Sequence, residues 1–358
     1  MPFQIIRNDI TKVKADAIVN TANPKPCIGR GTDSAIYAAA GADQLLAARK
    51  RIGEIAPGQA ASTEAFQMQA RYLIHTVGPV WIDGRHGERE ILRSCYEQSL
   101  ALAAKLHCDS IAFPLIASGV YGFPKDEALS IALSEIGKFL LTHEIKVILV
   151  VFDRRALELS EDLVGSIDQY IDEHTAQELR NTEYGGAGAS ELYRRVEDTE
   201  RLRMIERLQS PEQPAEAEDG SNTSMPPLGG LPDVTGKSLD EVLGEAGETF
   251  QQRLFELIDN SGLDDVTVYK KANIDRKVFS RIRCKKDYKP KKKTAVAFAI
   301  ALELDMPATL DLLARAEITF SPSNRFDLIV TYFITNKIYD IYEINAALFK
   351  YGQPILGV

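Results

Sequence analysis

Two asparagines end an apolar run near the start of the chain, and a glycine-containing loop follows them. The run AIVNTAN places Asn20 and Asn23 at the carboxyl end of a predicted strand. Asp33 then opens an alanine-rich helix, after a loop that contains Gly29 and Gly31. Glycine lets a loop backbone approach a ligand closely, and a helix N-terminus offers unpaired N–H groups to phosphate. An amide and a carboxylate at such a loop are groups that can hold a hydroxyl and orient a water molecule.

A second loop of the same kind follows a later strand. The segment PLIASGVYGFP, from Pro114 to Pro124, also runs from a strand into a glycine-containing loop before a helix. Two such loops at the carboxyl ends of neighbouring parallel strands would form a cleft for a phosphate-bearing ligand. Two ordinary strand-to-helix turns would have the same composition, so the loops alone leave both interpretations open.

The elements that must position these loops alternate between strands and helices. Continuous apolar runs over DAIVNTAN, RYLIHTVGPVW, CDSIAFPLIAS and IKVILVVFD predict four strands buried on both faces. Apolar residues at helical spacing predict helices over EREILRSCYEQSLALAAKLH and KDEALSIALSEIGKFLLTHE, and another over LSEDLVGSIDQYIDEH that ends near His174. The alternation predicts an α/β domain over residues 1–174, with helices on both faces of a sheet.

The character of the sequence changes after this domain. We predict a linker over residues 175–237, with a possible helix at SELYRRVEDTERLRMIERL and disorder over residues 209–237. The latter stretch is rich in Pro, Gly, Ser, Glu and Asp, so it cannot bury enough apolar surface to offset its ordering entropy. Helix signals restart at Ser238, where SLDE has the form of a capping box. Every element predicted from there to Val358 is helical, which gives an all-α domain over residues 238–358.

Composition limits the class of protein. The 358 residues fit about two domains, and 45% hydrophobic with 26% charged residues is typical of a soluble protein. A net charge of −9 excludes a basic nucleic-acid coat over the whole molecule. Four widely spaced cysteines argue against a disulfide framework, and the start of the chain lacks the pattern of a signal peptide. We expect a cytoplasmic protein without a membrane-spanning helix.

Six motifs, in order, resemble those of the macrodomain, an ADP-ribose-binding fold with a three-layer α/β/α architecture. They are residues 8–11, residues 17–23, the glycine-containing loop that ends at Asp33, residues 75–81, residues 114 and 118–124, and residues 151–153. The resemblance extends over residues 1–173, just under half of the chain. The three-layer architecture that it implies agrees with the alternation of strands and helices.

The resemblance implies a role for each matching residue. Asp9 would accept a hydrogen bond from the adenine amino group, assisted by the backbone of Ile10. Asn23 would face the proximal ribose, and Phe152 would pack near the adenine or its ribose. Asp9 could instead cap a turn, and Phe152 could belong to the core. The other ADP-ribose contacts that we predict are Asn20, Gly29, Arg30, Gly31, Ser118, Gly119, Val120 and Tyr121, the last four around the diphosphate.

Macrodomains include readers, which only bind ADP-ribose, and hydrolases, which remove it. The MacroD-type hydrolases have an asparagine at this strand end and an aspartate ten positions later, which is the spacing of Asn23 and Asp33. The resemblance implies that the carboxylate orients or deprotonates a water molecule while the amide holds a ribose hydroxyl. Two residues depart from the hydrolase pattern: Arg30 replaces a glycine, and Tyr37 stands where a histidine is frequent. Asp33 could also act as a helix N-cap.

We therefore expect hydrolysis of mono-ADP-ribose esters, on Asp or Glu side chains or in O-acetyl-ADP-ribose. The alternatives are a non-catalytic ADP-ribose sensor that regulates the C-terminal domain, and an enzyme that removes ADP-ribose from nucleic acid. We expect no cofactor and no metal, because Cys27 stands alone near the loop and the five histidines form no pair with ligand spacing.

Positive charge is concentrated in the C-terminal domain. Residues 264–293 contain 12 Lys and Arg and 4 Asp, a local charge of +8 that leaves −17 on the rest of the chain. The order of helices resembles a five-helix, repressor-type helix-turn-helix domain, with RKVFSRIRC as its recognition helix. The candidate nucleic-acid contacts are Arg276, Lys277, Arg281 and Arg283. A protein-docking or regulatory module is the alternative, and we expect the trailing segment from Arg325 to form a lid or a dimer interface.

Overall fold

The computed structural model describes residues 3–152, 159, 163–172, 248–285 and 287–357. The predicted linker from residue 209 to 237 and the capping box at Ser238 lie outside the described residues. The domain boundaries at residues 174 and 238 also fall there, so they stay predictions.

Six strands form one mixed sheet. They are β1 (Phe3–Arg7), β2 (Ala17–Thr21), β3 (Ala60–Glu64), β4 (Tyr72–Thr76), β5 (Ser110–Pro114) and β6 (Lys146–Val151). The strand order is β1-β6-β5-β2-β4-β3, and only the β3–β4 pair is antiparallel. The four strands predicted from apolar runs are β2, β4, β5 and β6. The apolar runs do not predict the two edge strands, because β3 (AASTE) has no large apolar residue and the apolar residues of β1 (FQIIR) are interrupted by Gln4.

Helices cover both faces of this sheet. Because side chains alternate along a strand, Ile18, Leu73 and Ile148 pack on one face with the first two helices, and Val19 and Leu149 pack on the other with the next two. This confirms the predicted three-layer α/β/α architecture. The helices are α1 (Thr32–Ala40), α2 (Ala42–Ile52), α3 (Glu88–Lys105), α4 (Lys125–Thr142) and α5 (residues 163–172).

Seven further helices form the described part of the second half, as predicted. Their common centre is the helix from Lys292 to Ala301, in which every side chain from Thr294 onward is buried. No helix in the described ranges is long and apolar enough to cross a membrane. The helices are α6 (Phe250–Ser261), α7 (Asp265–Lys271), α8 (Arg276–Cys284), α9 (Lys292–Ala301), α10 (Met306–Ala314), α11 (Arg325–Thr335) and α12 (Ile341–Lys350).

The helical region closes the free edge of strand β1. Asn273, between α7 and α8, donates its Nδ2 to the carbonyl of Phe3 at 3.1 Å and accepts the Phe3 N–H at Oδ1, at 3.0 Å. The side-chain amide thereby replaces one rung of a β-ladder at an edge that would otherwise present unpaired backbone groups. The two halves of the chain are therefore joined by hydrogen bonds from a side chain to the backbone as well as by apolar contacts.

The last helix packs against the sheet edge and against α4. Tyr342 on α12 meets the ring of Phe3 edge-on, with 5.3 Å between the ring centroids. A Cβ on Gly137 of α4 would lie 2.9 Å from the Tyr342 ring, so glycine makes this close approach possible. The trailing segment therefore belongs to a core shared with the α/β part, which differs from the lid or dimer interface that we predicted. The apolar and aromatic side chains that suggested an interface are buried within the chain itself.

Replacing Asn273 with alanine should destabilise the protein by about 3 kcal/mol, since it leaves buried backbone groups without partners. Asn273 also has a φ of 53°, a conformation that alanine adopts at a cost. Urea unfolding of Asn273→Ala would measure the change. Asn336→Ala is the matched control, because that exposed side chain bonds only to a carbonyl within its own helix. Equal unfolding midpoints for the two variants would show that the Phe3 pairing does not stabilise the fold.

Candidate functional site

A groove runs along the carboxyl ends of the central strands. Its larger section, a cavity of about 570 Å³, lies between the loop after β2 and the loop after β5. An adjoining cavity of about 390 Å³ reaches the start of the chain and shares Gly31 and Gly119 with the first. The larger section is lined by Asn23, Gly29, Arg30, Asp33, Val120 and Tyr121. The smaller is lined by Asp9, Ile10, Ser118 and Phe152. The structure thus brings the predicted ligand contacts to one groove, with the exception of Asn20.

Asn20 lies beneath the groove rather than in its lining. Its side chain is completely buried on β2, and its Nδ2 donates to Oδ1 of Asp33 at 2.7 Å. The prediction that Asn20 contacts the ligand therefore differs from the structure, where the amide holds the carboxylate in place. Its position in the middle of the sheet explains the difference, because Asn20 pairs with His75 in the β2–β4 register and points inward.

The Asp33 carboxylate is held from two sides. Oδ1 accepts the bond from Asn20, and Oδ2 accepts the N–H of Gly29 at 2.5 Å. Burial raises the pKa of Asp33, and these two hydrogen bonds together with the nearby charge of Arg49 act in the opposite direction. Helix α1 begins at Thr32, so Asp33 is not its N-cap, and that alternative is wrong. The carboxylate points back into the loop and not along the helix axis.

A buried chain of hydrogen bonds continues behind Asn20. Its Nδ2 lies 3.2 Å from Nδ1 of His75, and Nε2 of His75 lies 3.0 Å from the hydroxyl of Thr63. Since Nδ2 of Asn20 is a donor, Nδ1 of His75 accepts this bond and Nε2 of His75 carries the proton. Burial lowers the pKa of His75 to about 3, so the ring is neutral near pH 7. His75 therefore lies behind the Asp33 carboxylate as a neutral member of this hydrogen-bond chain.

Asn23 and Asp33 flank Gly29, and any side chain at residue 29 would displace them. A Cβ at residue 29 would lie 2.6 Å from Nδ2 of Asn23 and 2.9 Å from Oδ2 of Asp33. Both contacts are closer than real Cβ atoms approach their neighbours. The hydroxyl of Tyr121 donates to Oδ1 of Asn23 at 3.3 Å, across the groove. An amide, a carboxylate and a phenol therefore converge on one section of the groove.

Arg49 is a component of the site that sequence analysis missed. Its guanidinium is buried, with only 1% of the residue exposed. Nη2 donates to the carbonyls of Asn23 and Pro24 at 3.1 and 3.3 Å, and Nη1 donates to Gly53 at 2.6 Å. It forms no ion pair with the described residues. Arg49 therefore fixes the backbone that carries Asn23, and its position four residues after buried Leu45 on α2 was the available signal.

Asp9 caps a turn, as one of the two interpretations of the sequence predicted, and it also lines the groove. Its Oδ1 accepts the N–H and the hydroxyl of Thr11, at 2.9 and 2.8 Å, and so caps the 3-10 turn Ile10–Lys12. These hydrogen bonds lower the pKa of Asp9. Oδ2 has no hydrogen-bond partner in the described part of the chain, and Asp9 lines the groove. Phe152 is 79% exposed at the same end, so it is not a core residue.

One cluster of possible metal-ligating side chains lies outside the groove. Single atoms of Asp83, His86 and Glu88 fall within 4.8 Å of one another. Burial would raise the pKa of Glu88, but backbone N–H groups lower it to about 2. Its two oxygens accept the N–H groups of residues 82, 83, 84 and 86. The carboxylate is thus occupied in bracing the loop before α3.

Comparison with known proteins gives the family. The sequence model of the Macro domain matches residues 19–132. A macro domain-containing protein of Chlorobaculum tepidum is 44% identical over 163 residues, which cover 45% of this chain and 94% of the relative. The chain belongs to the macro domain family. An O-acetyl-ADP-ribose deacetylase of Cronobacter sakazakii is 39% identical over 172 residues, which cover 47% of this chain and 96% of that protein.

Solved macrodomain structures show the same partial coverage. The Oceanobacillus iheyensis macrodomain with ADP is 38% identical, has a TM-score of 0.41 and aligns with 43% of this chain and 85% of that one. The Trypanosoma brucei macrodomain in complex with ADP-ribose is 35% identical and has a TM-score of 0.41. It aligns with 45% of this chain and 68% of that one. These matches extend over less than half of the chain.

The predicted nucleic-acid contacts lie outside the macrodomain, on α8. Arg276, Lys277 and Arg281 are exposed. Arg283 is also exposed, but it forms an ion pair with Asp265 and lies over the ring of Phe255, 5.2 Å from its centroid. The structure therefore keeps three of the four cations together on one face of α8.

Proposed function

We propose that the macrodomain binds ADP-ribose and hydrolyses mono-ADP-ribose esters, including O-acetyl-ADP-ribose. The observation that carries this proposal is the pair of Asn23 and Asp33 on either side of Gly29, facing one groove. Proteins named O-acetyl-ADP-ribose deacetylase from Cronobacter sakazakii and Citrobacter rodentium, 39% and 45% identical over the aligned residues, support it. The ester linkage and the macromolecule that carries the ADP-ribose are part of the proposal.

The two sections of the groove would take the two ends of the ligand. Oδ2 of Asp9 is an acceptor for the adenine amino group, and the exposed Phe152 offers a ring beside it. The loop of residues 118–121 presents backbone N–H groups to the diphosphate. Arg30, exposed beside the larger section, adds a cation near the same phosphates. The distal ribose, which carries the ester, would then lie against Asn23 and Asp33 in the larger section. This differs from the proximal ribose that the resemblance assigned to Asn23.

Ester cleavage needs a water molecule placed against the carbonyl or the anomeric carbon. In the proposed mechanism the Asp33 carboxylate orients that water and accepts its proton, since burial raises the pKa of Asp33 and makes it a better base. The water oxygen bonds to the ester carbonyl carbon, the bond from that carbon to the ribose oxygen breaks, and the proton passes from Asp33 to the ribose oxygen, which releases ADP-ribose and the carboxylic acid. The Asn23 amide, bonded to Tyr121, holds a ribose hydroxyl. Asn20 and Arg49 position these two groups from behind.

A time course of product release would test the proposal. Purified full-length protein is mixed with O-acetyl-ADP-ribose, and separately with a protein mono-ADP-ribosylated on acidic residues. Free ADP-ribose is quantified for the native chain, for Asp33→Ala and for Asp43→Ala, an exposed carboxylate on α2. Release by the native chain and by Asp43→Ala, without release by Asp33→Ala, supports hydrolysis. Tight ADP-ribose binding without release from either substrate would favour the non-catalytic sensor.

Asp9→Asn should weaken ADP-ribose binding by about tenfold or more, the scale of one charged hydrogen bond. The amide oxygen can still cap the turn at Thr11, but the amide N–H would face the adenine amino group, which is also a donor. Isothermal titration calorimetry would measure the affinity, with Asp43→Asn as the control. An unchanged dissociation constant would show that the adenine does not contact Asp9.

We also propose that the helical domain, residues 238–358, is a targeting or regulatory module for the macrodomain. Its packing on β1 and α4 supports this role, because both contacts lie away from the groove. The module would then bring the macrodomain to its substrate without covering the proposed catalytic groups.

A further inference from the structure

Helices α7 and α8 have the dimensions of a helix-turn-helix unit. Helix α7 has 7 residues, α8 has 9, and residues 272–275 connect them. Asn273 in this turn adopts a φ of 53°, which permits the sharp change of direction. Phe279 and Ile282 anchor α8 in the core, and the ring of Phe279 lies 6.0 Å from that of Phe298 on α9. The second helix of the unit is therefore rigidly held with one face outward.

The outward face of α8 is basic and contains no acidic residue. Arg276, Lys277, Ser280, Arg281 and Cys284 are exposed. The N-cap Asp275 bonds to the backbone N–H of Lys277, so it is directed toward the helix end. Phosphate groups, and the edges of bases, are the usual partners of arginine, lysine and serine in this arrangement.

Many neighbouring cations are already neutralised, but those on this face are not. Lys271, Lys289 and Lys292 form ion pairs with Glu303, Glu317 and Asp327. Lys270 is buried against α4, where its Nζ donates to the carbonyl of Leu141 at 3.2 Å. Arg276, Lys277 and Arg281 have no ion-pair partner within the described ranges. Among the described cations of residues 264–293, those without an ion pair are thus Arg276, Lys277 and Arg281 on α8, and Lys285, Lys291 and Lys293 after it.

We propose that the outward face of α8 binds the phosphate backbone of duplex DNA. The centres of protein interfaces are depleted of charged residues and enriched in aromatic side chains, and the exposed face formed by Arg276, Lys277, Ser280 and Arg281 has the opposite composition. Single-stranded nucleic acid would require aromatic side chains for stacking. Duplex RNA has a major groove too deep and narrow for a helix. A basic, polar helix held outward by a helix-turn-helix unit fits the major groove of DNA.

The position of α8 also bears on the substrate. Asn273, three residues before α8, bonds to Phe3 at the amino end of β1, whereas the groove lies at the carboxyl ends of the strands. The length of a five-residue strand, about 15 Å, separates those two ends of the sheet. DNA on α8 would therefore leave the groove open to a separate, ADP-ribosylated partner. The DNA-binding proposal does not depend on whether the groove hydrolyses its ligand.

Fluorescence anisotropy with a labelled duplex would test the proposal. The full-length protein is titrated into a mixed-sequence DNA duplex of about 30 base pairs, at salt concentrations from about 50 to 300 mM. The variant is the triple substitution Arg276→Ala, Lys277→Ala and Arg281→Ala. We expect its affinity near 100 mM salt to fall by about tenfold or more, and the slope of log affinity against log salt to decrease by about 3.

A second triple variant controls for net charge. Lys50→Ala, Arg51→Ala and Lys105→Ala remove three exposed cations from α2 and α3, and we expect them to leave the salt slope unchanged. Absence of binding at low salt would overturn the proposal, as would equal losses in the two triple variants. Displacement of the DNA by a short polyglutamate peptide at equal charge concentration would also overturn it, in favour of an acidic protein partner.

Discussion

Replacing Asp33 with asparagine should reduce ester hydrolysis by about 10² to 10⁴-fold, the range expected when a general base is removed. The amide has nearly the shape of the carboxylate but cannot accept a proton from water near pH 7. ADP-ribose binding should persist, since the adenine and diphosphate contacts that we propose lie elsewhere in the groove. The expected signature is therefore a fall in kcat with little change in affinity.

The hydrogen bonds around residue 33 can adapt to this substitution. The Asn20 side chain can rotate so that its Oδ1, which has no partner in the structure, accepts from the new amide at residue 33. His75 would then carry its proton on Nδ1 and donate it to the same oxygen, while Nε2 accepts from the hydroxyl of Thr63. The loss of activity would thus not arise from a damaged fold.

The pKa of Asp33 gives the sign of the stability change. Burial raises it above its usual value of 3.8, so the native state holds this proton more tightly than the unfolded state does. The resulting contribution to the free energy of unfolding is complete below pH 3.8 and is lost as the pH rises through the raised pKa. The asparagine cannot ionise, so Asp33→Asn should be at least as stable as the native chain at pH 7.

Kinetics with O-acetyl-ADP-ribose, calorimetry with ADP-ribose and thermal unfolding at pH 7 would together measure these effects. Asp43→Asn is the matched control, because its carboxylate is exposed on α2. In the native chain, activity should fall on the acid side at a pH above 3.8, where Asp33 becomes protonated. Equal losses of turnover and affinity in Asp33→Asn would mean that this residue only shapes the groove.

Replacing Arg49 with methionine should lower both stability and turnover. The substitution leaves the carbonyls of Asn23 and Gly53 without a donor, while the Pro24 carbonyl keeps the N–H of Ile55. We expect this loss to reduce the free energy of unfolding by about 3 kcal/mol. Displacement of the Asn23 backbone should reduce kcat by about 10²-fold, as small misplacements of catalytic groups do. Urea unfolding and steady-state kinetics would measure the two effects.

The pH profile separates the charge of Arg49 from its packing. The cation lowers the pKa of Asp33, so Arg49→Met should move the acid limb of the profile to higher pH. The other groups facing Asp33 are His75, which is neutral, and Tyr37 and Tyr121, whose pKa values are raised. The methionine therefore removes the one favourable charge that acts on this carboxylate among the described groups.

Two further variants complete the comparison. Arg49→Lys keeps the charge but reaches fewer carbonyls, so the acid limb should return toward the native position while stability recovers only in part. Lys50→Met, on the exposed side of the same helix, should change neither property. If Arg49→Met and Arg49→Lys had the same acid limb, the charge of Arg49 would have no influence on Asp33.

The local pattern of the sequence was sufficient for much of this protein. Buried parallel strands such as β6 are nearly continuous apolar runs, because helices cover both of their faces. The N-caps Asp264, Asp275 and Asp305 mark helix starts through bonds to residues two or three positions ahead. The spacing of Asn23 and Asp33 resembles that of the MacroD-type hydrolases, and through this resemblance the sequence predicted that both residues belong to the groove. All of these features depend on neighbours close in sequence.

Tertiary structure decided the features whose partners are distant in sequence. The bond between Phe3 and Asn273 joins residues 270 positions apart, and neither residue type specifies the other. Arg49 is stabilised by carbonyls about 25 residues away, which only the folded loop brings within reach. Asn20 resembled a ligand contact because asparagine suits both surfaces and interiors. Its role was settled by the direction in which β2 presents it, since burial requires a polar side chain to find its partner inside the protein.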